Sequence, residues 1–166
     1  MESASGASEI PGHVLDYLGE ERALTLATAT RDGEPHAATF LYVNDGIDLY
    51  IWLKPASTTA QNVKGNPHVG FAIDEYSPDW RQTKGVQGSG KCEVVTGEAI
   101  ASTAMKFGEK FPDLSPGGST ASISFYRISP DELQFIDNSG SEKSADEFGF
   151  SYRSDRVYTG VGESVG

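Results

Sequence analysis

The clearest pattern in the chain is an alternation of apolar and polar residues over 47–53. The apolar members share one face of an extended segment: Ile47, Leu49, Ile51 and Leu53. Because successive side chains of a strand point to opposite faces, this pattern predicts a half-buried β-strand. Ser57 then stands at the N-cap position of a following helix, and Gly65 stands at its end. The stretch 47–69 is therefore predicted as a strand, a polar turn, a short helix and the start of another strand.

The rest of the chain is dominated by short strand-like segments separated by turn signals. Further strands are predicted at 23–30, 36–43, 68–75, 86–97, 122–129 and 132–137. Tight turns with Asp-Gly at 31–35 and 44–46 join the first three strands into an antiparallel meander. Pro130-Asp131 is predicted to turn the chain between the last two strands, and the glycines within 86–97 indicate a bulge or a close backbone approach.

Two more helices are predicted, at about 12–20 and 98–111. In the second, the spacing of four apolar residues predicts one buried stripe: Ile100, Ala104, Phe107 and Phe111. No strand–helix alternation runs through the chain, and antiparallel hairpins prevail. The predicted fold class is therefore mainly β (α+β), a closed or nearly closed barrel of six to seven antiparallel strands with two or three covering helices.

The composition adds limits on domain number, partners and location. The chain has 166 residues, enough for one domain with a real core, and 11–140 is expected to form it. A disordered arm at 1–10 and a polar tail at 141–166 are expected to flank this domain. The net charge of −11 argues against nucleic acid or anionic membrane as partners. Without a secretory signal or a long apolar run, a cytoplasmic location is expected.

The candidate metal-binding and nucleophilic residues are few. Cys92 is the only cysteine, and inert packing is the favoured interpretation over a reactive thiol. His13, His36 and His68 are widely separated, without the spacing of a zinc motif. A single histidine acting as an axial haem ligand is the weaker alternative.

The helix that begins at Ser57 offers a place for an anion. A helix N-terminus carries unpaired backbone N–H groups and partial positive charge, which suit a phosphate. The hypothesis is that this stretch holds the phosphate end of a flavin-type cofactor. The simpler interpretation, that Ser57 only caps the helix, is compatible with it.

Four motifs in order resemble one known family. They are TLATATRDGEPHAATFLYVNDGIDLYIWL, then S-x-x-x-x-N-V-x-x-N-P-x-V, then W-x-x-x-K-G-V-Q-x-x-G, and finally ISPDELQFID. Over roughly 12–140 the chain resembles the pyridoxamine 5'-phosphate oxidase-like family of flavin-binding proteins. The resemblance implies a split β-barrel that forms a homodimer, with FMN in a groove at the dimer interface. Some branches of the family hold a deazaflavin or haem instead.

The resemblance also implies which residues contact the cofactor. They are Ala38, Thr39, Phe40, Leu41, Trp52, Leu53, Lys54, Ser57, Thr58, Thr59, Asn62, Lys84 and Gln87. The first four would run beside the flavin ring, and Ser57 and Asn62 would bound the phosphate segment. The family commonly has basic residues directly after the serine, where this chain has Thr58 and Thr59. Lys54 and Lys84 are the nearby candidates to supply that charge.

These features predict an FMN-dependent oxidoreductase that acts on a small organic substrate. No catalytic triad is recognisable, which is consistent with a flavin carrying the redox chemistry. The substrate would lie over the ring, near Trp52, Gln87 and the Trp80 of the second copy. The alternatives are a flavin, deazaflavin or haem binding protein without turnover, and a dimer without any cofactor. Trp52 is equally consistent with a core aromatic residue, and Trp80 with a packing anchor.

Overall fold

The computed structural model describes residues 10–75, 77–114, 122–139 and 154–159, with Val157 the only side chain in the last segment. The helices are α1 (Gly12–Glu20), α2 (Thr58–Gly65) and α3 (Ala99–Lys110), with one 3-10 turn at Trp80–Gln82. The strands are β1 (Ala23–Ala29), β2 (Pro35–Leu41), β3 (Val43–Asp45), β4 (Asp48–Leu53), β5 (His68–Asp74), β6 (Lys84–Val94), β7 (Ser124–Asp137) and β8 (Ser154–Thr159). None of the helices in these residues is long and apolar enough to cross a membrane.

The strands form one antiparallel sheet whose two ends meet. Seven strands follow the order β2-β1-β5-β6-β7-β4-β3, and β8 pairs with β7 outside this path. β2 and β3 stand at opposite ends of the path, yet only Tyr42 separates them in the chain. The sheet must therefore curl back on itself, which gives the predicted split barrel of mainly β architecture.

Tyr42 fixes the corner where the sheet closes. Its side chain is fully buried, and its hydroxyl donates a 2.6 Å hydrogen bond to the carbonyl oxygen of Leu18 at the end of α1. Burial raises the pKa of Tyr42, with the Glu21 carboxylate adding to the shift. The phenol therefore stays neutral, and it ties α1 to the end of the barrel.

The core follows the predicted alternation. Leu49, Ile51 and Leu53 of β4 are buried, as are the alternate residues Val69, Phe71 and Ile73 of β5. They belong to the main cluster inside the barrel. A second cluster lies under α3, which contributes Phe107 and is followed by Phe111.

Three details of the sequence-based picture are wrong. The meander predicted for the first three strands is interrupted at Tyr42, because β2 pairs with β1 whereas the short β3 pairs with β4. β7 runs without a turn through Pro130, because its backbone continues to pair with β6 on both sides of that residue. The register of β6 against β7 shifts between Ser89 and Gly90 instead, which accommodates the proline as a bulge. In α3, Thr103 is buried while Ile100 remains 46% exposed, so the predicted stripe is buried only towards the C-terminal end.

The glycines of β6 permit a close approach to β7, as predicted. A Cβ on Gly88 would come within 2.5 Å of the carbonyl oxygen of Glu132 and of the Phe71 ring. A Cβ on Gly90 would collide with the backbone of Ser129 and Pro130. Both positions therefore require glycine for space.

Other expectations concern the ends of the chain. β8 lies within the expected polar tail and extends the sheet beside β7. The rest of this tail and the N-terminal arm, except for Ile10, lie outside the described residues.

Candidate functional site

A cleft opens where the two ends of the curled sheet face each other, and we call it the split cleft. It has a volume of about 370 Å³. Its lining comes from β2, from β4 and from the turn that follows β4: Thr39, Phe40, Leu41, Trp52, Leu53, Lys54 and Ser57. All seven are among the predicted cofactor contacts. The curl of the sheet thus brings together residues that the sequence places in two separate segments.

Ser57 shapes the polar end of the split cleft. Its backbone is extended (φ −69°, ψ 153°), and its Oγ accepts a 3.2 Å hydrogen bond from the backbone N–H of Ala60. A turn in which the N–H of Ser57 donates to the carbonyl oxygen of Lys54 (2.9 Å) brings the chain into α2. Ser57 is therefore the N-cap of α2, as predicted, and its own O–H proton can still be donated.

The first amides of α2 follow this polar end directly in the chain. In the part of the chain that the structure describes, the N–H groups of Thr58 and Thr59 have no hydrogen-bond acceptor. The helix contains no acidic residue in its first turn. Lys54, which is exposed, is the only cationic side chain among the residues that line the cleft. The Ser57 hydroxyl and the Lys54 ammonium group in the cleft, with the two amides that follow Ser57, are therefore the groups that suit an anion here.

The other end of the cleft is aromatic and aliphatic. Trp52 lies opposite Phe125 in the β4–β7 pairing and packs against the second cluster with Leu41. Phe40 packs against the main cluster from the other face of β2. Trp52 thus serves as a packing residue and as a wall of the cleft at once, and its contact with a flavin ring stays a prediction.

Four predicted contacts near α2 and β2 occupy other positions. Asn62 is buried and its Nδ2 donates a 3.1 Å hydrogen bond to the Thr28 hydroxyl, so its side chain ties α2 to β1. Thr59 is also buried, Thr58 is exposed, and neither side chain lines the cleft. Ala38 lies two residues before Phe40, beyond the lining.

Lys84 and Gln87 lie on β6, away from the split cleft. Lys84 pairs in register with Asp137, and its carbonyl oxygen accepts a hydrogen bond from the Tyr17 hydroxyl (3.2 Å). Burial opposes ionisation of Asp137, but hydrogen bonds from Ser139 and the Lys84 charge outweigh it and lower the pKa. Lys84 is therefore engaged near Asp137 rather than near α2.

Gln87 belongs to a second cavity on the outer face of the sheet, which we call the face cavity. Its volume is about 470 Å³. Small residues from β1 and β5 form its floor, and polar residues from β6 and β7 form one wall: Thr25, Ala27, Gly70, Phe71, Ala72, Gln87, Gly88, Ser89, Glu132 and Gln134. This cavity is shallow and open across the strands.

The strand register gives the distance between Thr39, which lines the split cleft, and Gln87, which lines the face cavity. Thr39 pairs with Thr25, Thr25 with Ala72, and Ala72 with Gln87. This row crosses three interstrand spacings, about 14 Å. Thr39 lines the split cleft and Gln87 lines the face cavity, so the predicted contacts form two groups on one protomer.

Gln87 is held by residues that sequence reasoning did not identify. Its Nε2 donates a 2.9 Å hydrogen bond to Oε1 of Gln134, whose Nε2 donates in turn to Oε1 of Glu132 (3.2 Å). Gln134 lies directly opposite Gln87 in the β6–β7 register. The alternation of Glu132 and Gln134 along β7 was visible in the sequence, but their pairing with Gln87 was not.

The largest of these cavities lies along the flank of α2. It has a volume of about 710 Å³ and includes Cys92 in its lining. The cysteine is 1% exposed, and burial raises the pKa of its thiol to about 12, with Glu93 adding to the shift. The interpretation of Cys92 as an inert packing residue is therefore confirmed.

Within the described residues, no group of three or more His, Cys, Asp and Glu side chains could hold a metal ion. His36 lies on β2 opposite Thr28, and His68 begins β5. His13 packs edge-on against Phe135 at 5.2 Å between ring centroids. None of the three lines the split cleft.

Comparison with known proteins agrees with the curled-sheet fold. Residues 10–137 match the profile of the family described as pyridoxamine 5'-phosphate oxidase, which is most of the chain. The chain belongs to the pyridoxamine 5'-phosphate oxidase family. No curated protein matches it in sequence.

Solved structures similar to this chain include two haem proteins and a conserved hypothetical protein. A conserved hypothetical protein from Mycobacterium tuberculosis has a TM-score of 0.70 at 21% identity, over 91% of this chain and 99% of that one. The haem storage protein HutZ from Vibrio cholerae has a TM-score of 0.65 at 18% identity, over 75% and 93%. A haem binding protein from Mycobacterium smegmatis has a TM-score of 0.67 at 15% identity; the match covers 89% of this chain but 59% of that one. At these identities the likeness shows the fold alone.

Proposed function

We propose that this protein binds FMN in the split cleft and acts as a flavin-dependent oxidoreductase on a small organic substrate. The observation that carries the proposal is that the Ser57 cap and Lys54 share one cleft with the aromatic side chains of Phe40 and Trp52. The unpaired amides of α2 follow Ser57 directly in the chain. The volume of about 370 Å³ falls within the usual range for ligand sites, about 300–1,000 Å³. The polar end suits a phosphate, and the apolar end suits an isoalloxazine ring.

The phosphate end would rely on backbone groups more than on cations. The amides of Thr58 and Thr59, the Ser57 hydroxyl and the Lys54 ammonium group would hold the dianion. A charge-assisted hydrogen bond contributes about 1.5–3 kcal/mol, so replacing each usual cation by threonine lowers affinity by roughly ten- to a hundredfold. The helix N-terminus offsets part of this loss.

The ring end would orient the flavin and exclude water. Trp52, Phe40 and Leu41 provide apolar surface on either side of the cleft. When bound, the flavin supplies the two-electron redox chemistry, and the protein supplies binding and orientation. No side chain of the cleft needs to act as a general acid or base for this role.

A homodimer would complete the site. The family resemblance implies that FMN lies at a dimer interface. Gln87 of one protomer is about 14 Å from the split cleft of the same protomer. A second copy packed on the outer sheet face would place its own Gln87 over the cleft. The floor of small residues in the face cavity, such as Ala27 and Gly70, favours such close packing.

A haem or flavin carrier without turnover is the second candidate function. Two of the similar structures are haem proteins, which favours haem as the alternative. However, the residues that line the split cleft include no His, Cys, Met or Tyr to ligate iron. The cleft therefore fits a flavin better than a haem, and a deazaflavin would meet the same features.

Replacing Ser57 with Asp tests the phosphate site. Aspartate caps helices as well as serine, so we expect the stability of S57D to stay within about 0.5 kcal/mol of the wild type. Its carboxylate would repel the phosphate, and we expect FMN affinity to fall at least about tenfold. Riboflavin, which lacks the phosphate, should bind both proteins equally. Titration by flavin fluorescence measures both ligands.

Ser102→Asp provides the matched control for S57D. It adds the same charge at an exposed position near the start of α3, away from the cleft, and should leave both affinities unchanged. Equal losses for FMN and riboflavin in S57D, or no loss for either, would contradict the proposed site.

Turnover is tested separately. An enzyme, unlike a carrier, should show repeated reduction of its bound flavin by NADPH or reduced deazaflavin.

A further inference from the structure

The outer wall of the face cavity contains a hydrogen-bonded chain of three side chains. Gln87 donates to Gln134 over 2.9 Å, and Gln134 donates to Glu132 over 3.2 Å. Glu132 and Gln134 lie two residues apart on the same face of β7, and Gln134 lies opposite Gln87. The series of hydrogen bonds therefore runs from the Glu132 carboxylate on β7 to the exposed Gln87 amide on β6.

The Glu132 carboxylate determines how each amide in this series of hydrogen bonds is oriented. An ionised carboxylate accepts hydrogen bonds and donates none, so the amide next to it must present its NH₂ group. The carbonyl oxygen of Gln134 then faces Gln87 and requires the NH₂ group of Gln87 as its donor. Reversing both amides would place the Gln134 oxygen against the Glu132 carboxylate, which is repulsive. Gln87 consequently directs its carbonyl oxygen away from Gln134, where the described residues offer it no donor.

We propose that Glu132 and Gln134 are positioning residues that hold Gln87 as a hydrogen-bond acceptor towards the ligand. The face cavity would then select a ligand edge that donates a hydrogen bond. This inference rests on the proposed function: the donor is the N3–H imide of an isoalloxazine ring, reached by the Gln87 of the second copy.

The same arrangement discriminates between the two candidate cofactors. An isoalloxazine ring presents an N–H donor at its pyrimidine edge, which matches the Gln87 carbonyl oxygen. The periphery of an iron porphyrin offers no N–H donor, and its propionates are anionic acceptors. An outward carbonyl oxygen disfavours such groups. The orientation of the Gln87 amide would thus produce a preference for flavin.

The test compares FMN with N3-methyl-FMN, which lacks the imide hydrogen, in the wild type and in Glu132→Gln. In the wild type we expect FMN to bind roughly threefold to tenfold more tightly than the methylated analogue. In E132Q a neutral amide can donate or accept, so Gln134 and Gln87 can rotate to suit either ligand. We expect the FMN preference of this isosteric variant to fall at least about twofold, with an unchanged denaturation midpoint.

Asp131→Asn is the matched control, because it removes the same charge from the neighbouring exposed residue and should keep the full preference for FMN. A steric penalty from the methyl group alone would persist in E132Q, so an unchanged preference there overturns the positioning role while FMN binding stands. Equal binding of the two ligands by the wild type also overturns it. If the wild type binds neither, the proposed function fails and the inference fails with it.

Discussion

Lys110 illustrates how the local environment alters a single residue. Its ammonium group donates a hydrogen bond to the carbonyl oxygen of Glu21 and lies 4.3 Å from the centroid of the Tyr42 ring. Burial lowers the pKa of Lys110 to about 8, Arg22 adds to the shift and Glu21 opposes it. This residue joins the end of α3 to the junction of α1 and β1.

The lowered pKa of Lys110 predicts a pH dependence of stability. Between pH 8 and the ordinary value of 10.5, the unfolded chain holds a proton on Lys110 that the folded chain has released. The free energy of unfolding should therefore rise with pH in this window, by less than about 1.4 kcal/mol per pH unit because the amine is partly screened. Urea unfolding from pH 7.5 to 9.5 measures this slope.

Lys110→Met is the comparison that isolates this effect. The difference in unfolding free energy between wild type and variant should shift in favour of the wild type as the pH increases. A difference that stays constant over the window would show that Lys110 does not titrate there. Tyr17 and Tyr42, whose pKa values are raised by burial, stay protonated in the folded protein and oppose this slope only as unfolded tyrosine begins to ionise above about pH 9. Their contribution is common to both proteins, so the comparison removes it.

At the scale of elements, the pairing of β6 with β7 depends on glycine. The two strands pair along most of their length, and the register shift at Ser89/Gly90 lets Pro130 remain inside β7. The backbone of β7 approaches Gly90 so closely that no Cβ fits. This contact lies next to Gln87 and the chain of side chains that ends at Glu132.

Gly90→Ala is expected to destabilise the protein. The added methyl group would meet backbone atoms of Ser129 and Pro130, which cannot rotate away, so we expect a loss of about 1–3 kcal/mol or more. Chemical denaturation measures the change. Gly108→Ala in α3 is the control: nothing lies within 4 Å of the new Cβ, and alanine favours a helix by about 1 kcal/mol. A neutral G90A would contradict the close spacing of β6 and β7 at this point.

At the scale of the whole molecule, the outer sheet face and the net charge both affect the association of two copies. Each copy carries a charge of −11, so two copies repel each other and salt should favour their association. The proposed dimer buries the face that includes Ala27, an exposed residue between Ala37 and Gly70 in the register. The face cavity would become enclosed only in such a dimer.

Ala27→Arg is expected to disrupt the proposed dimer. We expect the wild type to sediment as a dimer at micromolar concentration, with tighter association of the two copies at higher salt. We expect A27R to sediment as a monomer with weakened FMN binding. Ala101→Arg adds the same charge on the exposed side of α3 and should remain dimeric. A monomeric wild type at micromolar concentration would rule out the dimer and leave Gln87 without a cofactor to contact.

Local sequence patterns were enough to predict several strands and helices of this protein. The alternation in 47–53, the cap at Ser57 and the bounds of α1 and α2 all follow from interactions between near neighbours in the chain, so periodicity reveals them. The barrel followed from the order of such elements, and the family from the resemblance of four sequence motifs. Seven of the thirteen predicted contacts line one cleft because the family motifs mark those two segments.

Only the tertiary structure decided the rest, since it depends on which distant segments pair. The meeting of β2 with β4, the inward side chain of Asn62 and the chain from Gln87 to Glu132 join residues 13 to 47 positions apart. Pro130 stays within a strand because β7 carries the extra residue Asp131 beside it, opposite Ser89 and Gly90 of β6. Ile100 stays exposed because the contacts of α3 lie nearer Phe107. Local periodicity states which residues can be buried; the register between distant strands determines which of them meet.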